Sequence, residues 1–337
     1  MIKIALDAMG GDFAPKEQVE GAMLAIKKIN DIEITLYGRK EEIEKYLTNK
    51  ERINIVDCKD VIPMGEHNPM HAIRTMTDSS MVKAFKATAA KEHDCVLTCG
   101  PTQAVVVGAH IIIRRMEGFK RPALAPIIPS LTTGQTVILD CGANLEVKPE
   151  QLVQQAQYAS VYAKEILGRD NPRVGLMNIG TEEGKGREFE NECYKALKES
   201  SLNFIGNVET KDILEPPCDI LISDGFTTNM VVKCMEGTAK SMGKMLKDNL
   251  NRGFFGKIGA LLSMKNLKRF KKQINPDEVA GGMVFGLKVP LFKAHGSSES
   301  YAVFSALRTA SEVVRKDVNN KVQMALKNEA PLKDSEE

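Results

Sequence analysis

Short apolar, β-branched runs recur along the chain at 2 to 6, 32 to 37, 53 to 57, 94 to 98, 124 to 128, 136 to 140, 174 to 178, 203 to 208 and 219 to 223. Between most of them lie segments of helical period, at 15 to 29, 40 to 48, 78 to 91, 103 to 116, 149 to 167, 185 to 199 and 226 to 250. A run this short, bounded by turn residues, has the length of a buried strand, and apolar recurrence at three and four marks a helix. Strands that alternate with helices are joined by crossovers, so the pattern predicts a parallel or mixed sheet covered on both faces, a layered α/β fold. The 337 residues suffice for one large α/β domain of one or two lobes, expected over 1–330. Pro331 and the acidic residues after it predict a frayed tail at 331–337.

In sheets of this kind ligands collect at the carboxyl ends of strands, where Asp7, Thr98, Asp140, Asn178 and Ser223 fall. Each end runs into a turn of small or polar residues. The first is Asp7-Ala-Met-Gly10-Gly11-Asp12, ahead of a helix opened by Pro15. Its glycines permit positive φ and close backbone approach, and the helix start offers unpaired N–H groups. The others are Thr98-Cys-Gly100, Asp140-Cys-Gly142-Ala-Asn144, Asn178-Ile-Gly180-Thr181 and Ser223-Asp224-Gly225. Their number on what the pattern predicts is one edge points to a cleft.

Composition narrows the chemistry. A formal charge of +2 and the absence of tryptophan give no footprint for nucleic acid. The seven scattered cysteines contain no CxxC pair and predict reduced, mostly buried thiols. Lys3 and Asp7 interrupt the first apolar run too early for a secretory leader, and no run of about eighteen apolar residues occurs. A cytoplasmic protein, at most peripheral at the inner face of the cell membrane, is expected. The loop from Gly180 to Gly186 lacks Walker A spacing, no G-x-G-x-x-G follows a strand, and no G-x-S-x-G elbow is present. His67 and His71 have helical metal-ligand spacing, but Pro69 intervenes and no third ligand is evident, so neither metal nor cofactor is expected.

What remains is a set of anion-friendly turns without a covalent nucleophile, which suits a reaction whose nucleophile arrives as substrate. Lys185 sits in the flexible loop Gly180-Thr181-Glu-Glu-Gly-Lys185-Gly. Lys293-Ala-His295-Gly296-Ser297-Ser298 precedes a helical run from 299 to 316, giving a glycine, two hydroxyls and a helix start in one turn. From Arg252 to Ile274 the chain carries seven basic residues and no acidic one, with apolar residues at helical spacing. There Arg252, Lys257, Lys268 and Arg269 with Phe254, Phe255, Leu261 and Leu262 predict a basic amphipathic protrusion over 252–274. A surface or dimer contact, a lipid surface and an acidic carrier protein all fit that chemistry.

Several strings resemble the bacterial acyl-[acyl-carrier-protein]:phosphate acyltransferases of the PlsX type. They are LDAMGGDFAP (6–15), DSSM (78–81), RPALAPIIP (121–129), LDCGAN (139–144), PRVGLMNIGTEEGKG (172–186), FIGNVE (204–209), DGFTTN (224–229) and KAHGSS (293–298), in order over essentially the whole chain. The resemblance implies an isocitrate or isopropylmalate dehydrogenase-like fold, shared with phosphotransacetylases, and a homodimer. It implies transfer of a long-chain acyl group from acyl carrier protein to inorganic phosphate, giving acyl phosphate for a membrane glycerol-3-phosphate acyltransferase.

On that reading Lys185 and the His295-Gly296-Ser297-Ser298 turn hold phosphate, Asn229 or a backbone N–H stabilises the oxyanion, and His295 protonates the departing thiolate or orients the turn. Asp7, Gly10, Gly11, Asp12, Ser79, Ser80, Asn144, Thr181 and Asp224 line the cleft. The chain departs from the family pattern at Phe13, where His is usual, at Met76 and Thr77, where basic residues are usual, and at Thr228, where Gly is usual. It also has Gly100-Pro101-Thr102-Gln103-Ala104 in place of Gly-Asn-Thr-Gly-Ala. Pro101 lacks an N–H and Gln103 resists positive φ, so this turn is left outside the expected site. The competing expectations are a short-chain phosphotransacetylase, a decarboxylating dehydrogenase of the same fold, and an inactive membrane or carrier-protein scaffold.

Overall fold

The computed structural model describes residues 1–274 and 281–328. The tail expected at 331–337 lies outside the described residues, as does the side chain of Lys268.

The strands are β1 (Ile2–Asp7), β2 (Ile32–Gly38), β3 (Ile53–Asp57), β4 (Cys95–Thr98), β5 (Ala123–Ser130), β6 (Gly134–Leu139), β7 (Arg173–Asn178), β8 (Asn203–Glu209), β9 (Ile220–Ile222), β10 (Gly282–Phe285) and β11 (Leu291–Lys293). They form one sheet in the order β3-β2-β1-β4-β11-β10-β5-β6-β9-β7-β8. The helices are α1 (Lys16–Lys28), α2 (Lys40–Glu44), α3 (Pro69–Thr75), α4 (Ser80–Ala89), α5 (Thr102–Gly108), α6 (Pro149–Leu167), α7 (Glu188–Glu199), α8 (Gly225–Leu250), α9 (Gly253–Leu262), α10 (Met264–Ile274), α11 (Ser300–Arg315) and α12 (Val318–Asn328). Local chemistry sets many of the boundaries. Asn68 and Ser79 cap α3 and α4 through their side chains, Pro149 opens α6, and Gly168 ends it in the left-handed region at φ 67°.

Both flanks of the sheet are parallel, as the alternating pattern predicts, but the centre is not. β10 is antiparallel to β11 and to β5, and β5 is antiparallel to β6. β6, β9, β7 and β8 therefore run opposite to β1, β2, β3, β4 and β11. This corrects the expectation of one shared edge: Asp7 and Thr98 end strands at one end of the sheet, and Asp140, Asn178 and Ser223 at the other. The β5–β6 hairpin causes the reversal.

One face of the sheet is covered by α1, α6, α7, α11 and α12, through residues such as Val19, Leu152, Leu197, Val303 and Val318. The other face carries two separate cores. α3, α4 and α5 bury Ile73, Phe85 and Val105 against Ala5, Val96, Val284 and Leu291. The start of α8 buries Val232 with Ile128, Ile138, Met177 and Leu221. Between these cores the floor consists of Lys293, Gly282 and Pro126, which are register partners on β11, β10 and β5. Past residue 236, α8 leaves the body and its residues are largely exposed; α9 packs on its end and α10 on α9.

Candidate active site

Asp7, Thr98 and Lys293 stand side by side in register at the ends of β1, β4 and β11. Side-chain alternation turns them to the face that carries the divided core. Asp7 is fully enclosed: Thr98 Oγ1 donates to Asp7 Oδ2 at 2.7 Å, the Met9 N–H donates to Oδ1 at 3.2 Å, and Ser80 also bonds the carboxylate. Burial nevertheless raises the Asp7 carboxyl above its usual range. Ser79 caps α4 with its Oγ 3.4 Å from the Val82 nitrogen, so the Ser79-Ser80 pair positions Asp7 and α4 from beneath.

Three turns fuse above this row. A Cβ on Gly10 would lie 2.6 Å from Asp7 Oδ2 and 2.7 Å from the Gly100 nitrogen, and Gly11 sits at φ 110° against the Gly296 carbonyl. Only glycine lets these backbones approach so closely. The Asp12 N–H donates to the Gly296 carbonyl at 2.7 Å, and a Cβ on Gly296 would meet the Asp12 carboxylate at 3.5 Å. In the same turn Ser298 is buried, with its N–H donating to the His295 carbonyl at 3.1 Å, and Ser297 is exposed. The α11 start is already answered by a carboxylate, because the Ser300 N–H donates to Glu17 Oε2 at 2.7 Å. The Pro101 turn is easily accommodated: the Pro101 carbonyl accepts the first bond of α5, and Gln103 is helical.

At the opposite end of the sheet, Asp140 organises a second group of turns. Its carboxylate accepts N–H bonds from Leu124, Ala143 and Asn144 and one from the Asn144 side chain, at 2.8–3.0 Å. Burial pushes its pKa up to about 6 against those bonds. The Asn144 carbonyl takes the Gly225 N–H at 3.0 Å, seating the start of α8. Asp224 caps that helix, accepting from the Thr227 N–H at 2.7 Å and Thr227 Oγ1 at 2.9 Å, and pairs with Arg187 at 3.2 Å. Asn144 and Asp224 thus use their polar atoms to build the frame.

The Lys185 loop hangs beside this frame. Asn178 Nδ2 donates to the Lys185 carbonyl at 3.0 Å and Asn207 Nδ2 to the Glu182 carbonyl at 2.9 Å, so its backbone is pinned while Lys185 and Thr181 are exposed.

α8 joins the two ends. Its residues Asn229, Lys233 and Glu236 recur at helical spacing on one face, about 10 Å from first to last. The Asn229 amide lies over Gly142, 2.9 Å from where a Cβ would stand. Glu236 Oε1 lies 3.5 Å from His295 Nε2, and this contact holds the Glu236 carboxyl below its usual range. The helix bridges the two groups of turns, from Asn229 over Gly142 to Glu236 beside His295, and the region it bridges is the candidate cleft.

Residues 2–321 match the family model for fatty acid synthesis proteins. Over 318 residues the chain is 44% identical to the phosphate acyltransferase of Bacillus pumilus (strain SAFR-032), covering 94% of this chain and 96% of that relative. The chain belongs to the phosphate acyltransferase family. Its fold is similar to that of a phosphotransacetylase from Streptococcus pyogenes, with a TM-score of 0.59 over 95% of this chain and 94% of the other at 14% identity. It is also similar to a Salmonella typhimurium structure assigned as a 4-hydroxythreonine-4-phosphate dehydrogenase, with a TM-score of 0.51 over 93% and 99% at 10% identity. Phosphotransacetylases and dehydrogenases of this layered fold therefore share the architecture found in this phosphate acyltransferase family member.

Two residues of this region, Lys233 and Glu236, escape the motif reading, and a third, Lys293, stands in the KAHGSS motif without a role. Lys293 was within reach, because Leu291-Phe292-Lys293 places an ammonium where alternation calls for an apolar side chain. Lys233 and Glu236 follow only from the path of α8. Cys99 is buried in the core on the opposite face and Cys141 is partly buried beside the start of α8; burial pushes each thiol up to about 12. Neither supplies thiolate at neutral pH.

Proposed function

We propose that this protein transfers a long-chain acyl group from acyl-[acyl-carrier-protein] to inorganic phosphate, forming acyl phosphate for phospholipid synthesis. It is an acyltransferase of the phosphate acyltransferase family, and that membership carries the reading; phosphate arrives as an anionic nucleophile, so direct attack needs no acyl-enzyme. A phosphate oxygen adds to the thioester carbonyl, the tetrahedral oxyanion collapses, the C–S bond breaks, and the pantetheine sulfur leaves as thiolate. Phosphate is anionic and the thiolate is a good leaving group, so positioning and charge neutralisation dominate the rate.

Asn229, over the Gly142 backbone, suits the oxyanion. His295, oriented by Glu236, suits protonation of the leaving sulfur. Lys185, on its pinned loop, suits the anion at the mouth, with Thr181 beside it and the His295-Gly296-Ser297-Ser298 turn opposite. The Asp7, Gly10, Gly11 and Asp12 turn, backed by Ser79 and Ser80, forms the wall along which the pantetheine arm lies; Asn144 and Asp224 hold α8 against it.

Residues 1–330 act as one catalytic unit from which 252–274 protrudes. Among the described residues no helix is long and apolar enough to cross a membrane. The protrusion instead offers Phe254, Phe255, Leu261 and Leu262 with Arg252, Lys257, Lys268 and Arg269 to an anionic lipid surface, where an amphiphilic product is handed to a membrane glycerol-3-phosphate acyltransferase. The protein acts from the cytoplasm as a homodimer at the inner face of the membrane.

The test is incubation with palmitoyl-acyl carrier protein and inorganic phosphate, without coenzyme A, metal or nucleotide, following free carrier thiol and acyl phosphate together. Both appear in equal amounts and only with phosphate. Lys185→Ala and Asn229→Ala each lower turnover by about 10²–10³; wild-type turnover in both folded variants overturns their assignment. Trapping an acylated cysteine during turnover overturns direct attack.

A further inference from the structure

Lys293 is the least explained charge in the molecule. It closes β11, a strand whose Leu291 belongs to the core under α4 and α5 and whose Phe292 belongs to the core on the opposite face. Alternation therefore sends Lys293 to the cleft floor, where the first of those cores ends. Its Nζ donates to the Ala294 carbonyl at 2.6 Å, and no carboxylate among the described residues lies within ion-pair distance of it. Burial draws its ammonium below the ordinary lysine range. Lys233, descending from α8, is near enough to push it further the same way, and both lysines act on Cys141 and Glu236. Lys233 lies one turn from Glu236, which meets His295 two residues beyond Lys293, and two like charges brought this near repel unless an anion joins them.

The surrounding groups define that anion. An ammonium has three donors, and Lys293 uses one on Ala294, so two remain for the cleft. Asp12 is exposed and within electrostatic reach of Lys293, held beside this turn by its N–H bond to the Gly296 carbonyl. Glu236 is engaged with His295. The site thus combines free N–H donors with a carboxylate acceptor. Orthophosphate near neutrality retains an O–H to give such an acceptor, whereas sulfate has none and meets only repulsion there.

We propose that Lys293, Lys233 and Asp12 form the seat of the phosphate nucleophile on the cleft floor, and that Asp12 selects phosphate over sulfate by accepting its O–H. This rests on the acyl-transfer reading for its purpose, but not for its test. Lys185 then meets anions at the mouth, and the floor lysines hold the one that reacts.

The experiment titrates inorganic phosphate and, separately, sulfate into the full-length protein by calorimetry. Wild type, Lys293→Met, Lys293→Arg, Lys233→Met and Asp12→Asn are compared, and phosphate and acyl-donor KM values are measured in parallel. Wild type binds phosphate saturably and sulfate at least tenfold more weakly. Lys293→Met weakens phosphate binding and raises the phosphate KM at least tenfold with the acyl-donor KM unchanged, Lys293→Arg restores part of both, and Asp12→Asn narrows the gap between the two anions. Lys233 is exposed, so Lys233→Met keeps the test valid if Lys293→Met does not fold. Wild-type phosphate affinity in both Met variants overturns the seat, and so does equal binding of sulfate by wild type. If phosphate binds as described and no acyl phosphate forms, the seat stands and the acyl-transfer reading falls. If transfer proceeds with an unaltered phosphate KM in both variants, the reverse holds.

Discussion

Asp140 shows how the frame of this cleft responds to protons. Burial raises its pKa in the folded protein to about 6, above the ordinary aspartate value, so the folded protein binds the proton more tightly than the unfolded chain does. The stability this group contributes is full below about pH 4 and declines as pH rises through about 6. In Asp140→Asn that decline is absent. The difference in unfolding free energy between wild type and variant therefore shifts against wild type from about pH 4 to about pH 6, as denaturant unfolding at stepped pH would read. A pH-independent difference shows that the four N–H bonds to Asp140 offset its burial entirely. The residues that do this framing were visible in the sequence only as polar turn residues. Asp140, Asn144 and Asp224 look alike as candidates for ligand contact, because whether a carboxylate faces a helix N–H or open space depends on the register of strands far away in the chain. Asn229 is placed by the helix those turns seat, and Asp12 and His295 by the turns at the other end of the sheet.

At the scale of elements, the alternation of strand and helix was legible on both flanks, apart from the short α3. It missed β10 and β11, four and three residues long, because Gly281, Gly282, Gly286 and Pro290 punctuate that stretch as a turn would. The direction of half the sheet was hidden in the short connection between β5 and β6, two runs that were legible but whose antiparallel pairing was not. The run read as one helix over 103 to 116 is α5 followed by a π-helical turn over Ala109–Ile113. The basic segment gave the clearer signal: α9 and α10 are both helical despite the glycines. Phe255 and Leu262 are 86% and 81% exposed, so removing them costs little folding energy. Replacing Phe254, Phe255, Leu261 and Leu262 by Ser should abolish sedimentation with anionic vesicles while soluble turnover stays near wild type. Undiminished vesicle binding returns the segment to a dimer or carrier contact.

The whole molecule buries one continuous sheet yet leaves the second half of α8, including Met242 and Met245 at 64% exposure each, standing clear of the body. An apolar arm of this kind favours association. Sedimentation equilibrium should give twice the 37.1 kDa chain mass; a monomer at micromolar concentration refutes the homodimer.

The strands that close the centre are also the last to be made. β10 and β11 enter between β4 and β5, so a nascent chain that has not yet released them holds two half-sheets with bare edges facing one another. Such edges invite pairing with other chains. Lys293 and His295 emerge from the ribosome with this closing segment, so the turn they share is completed only as those bare edges are covered.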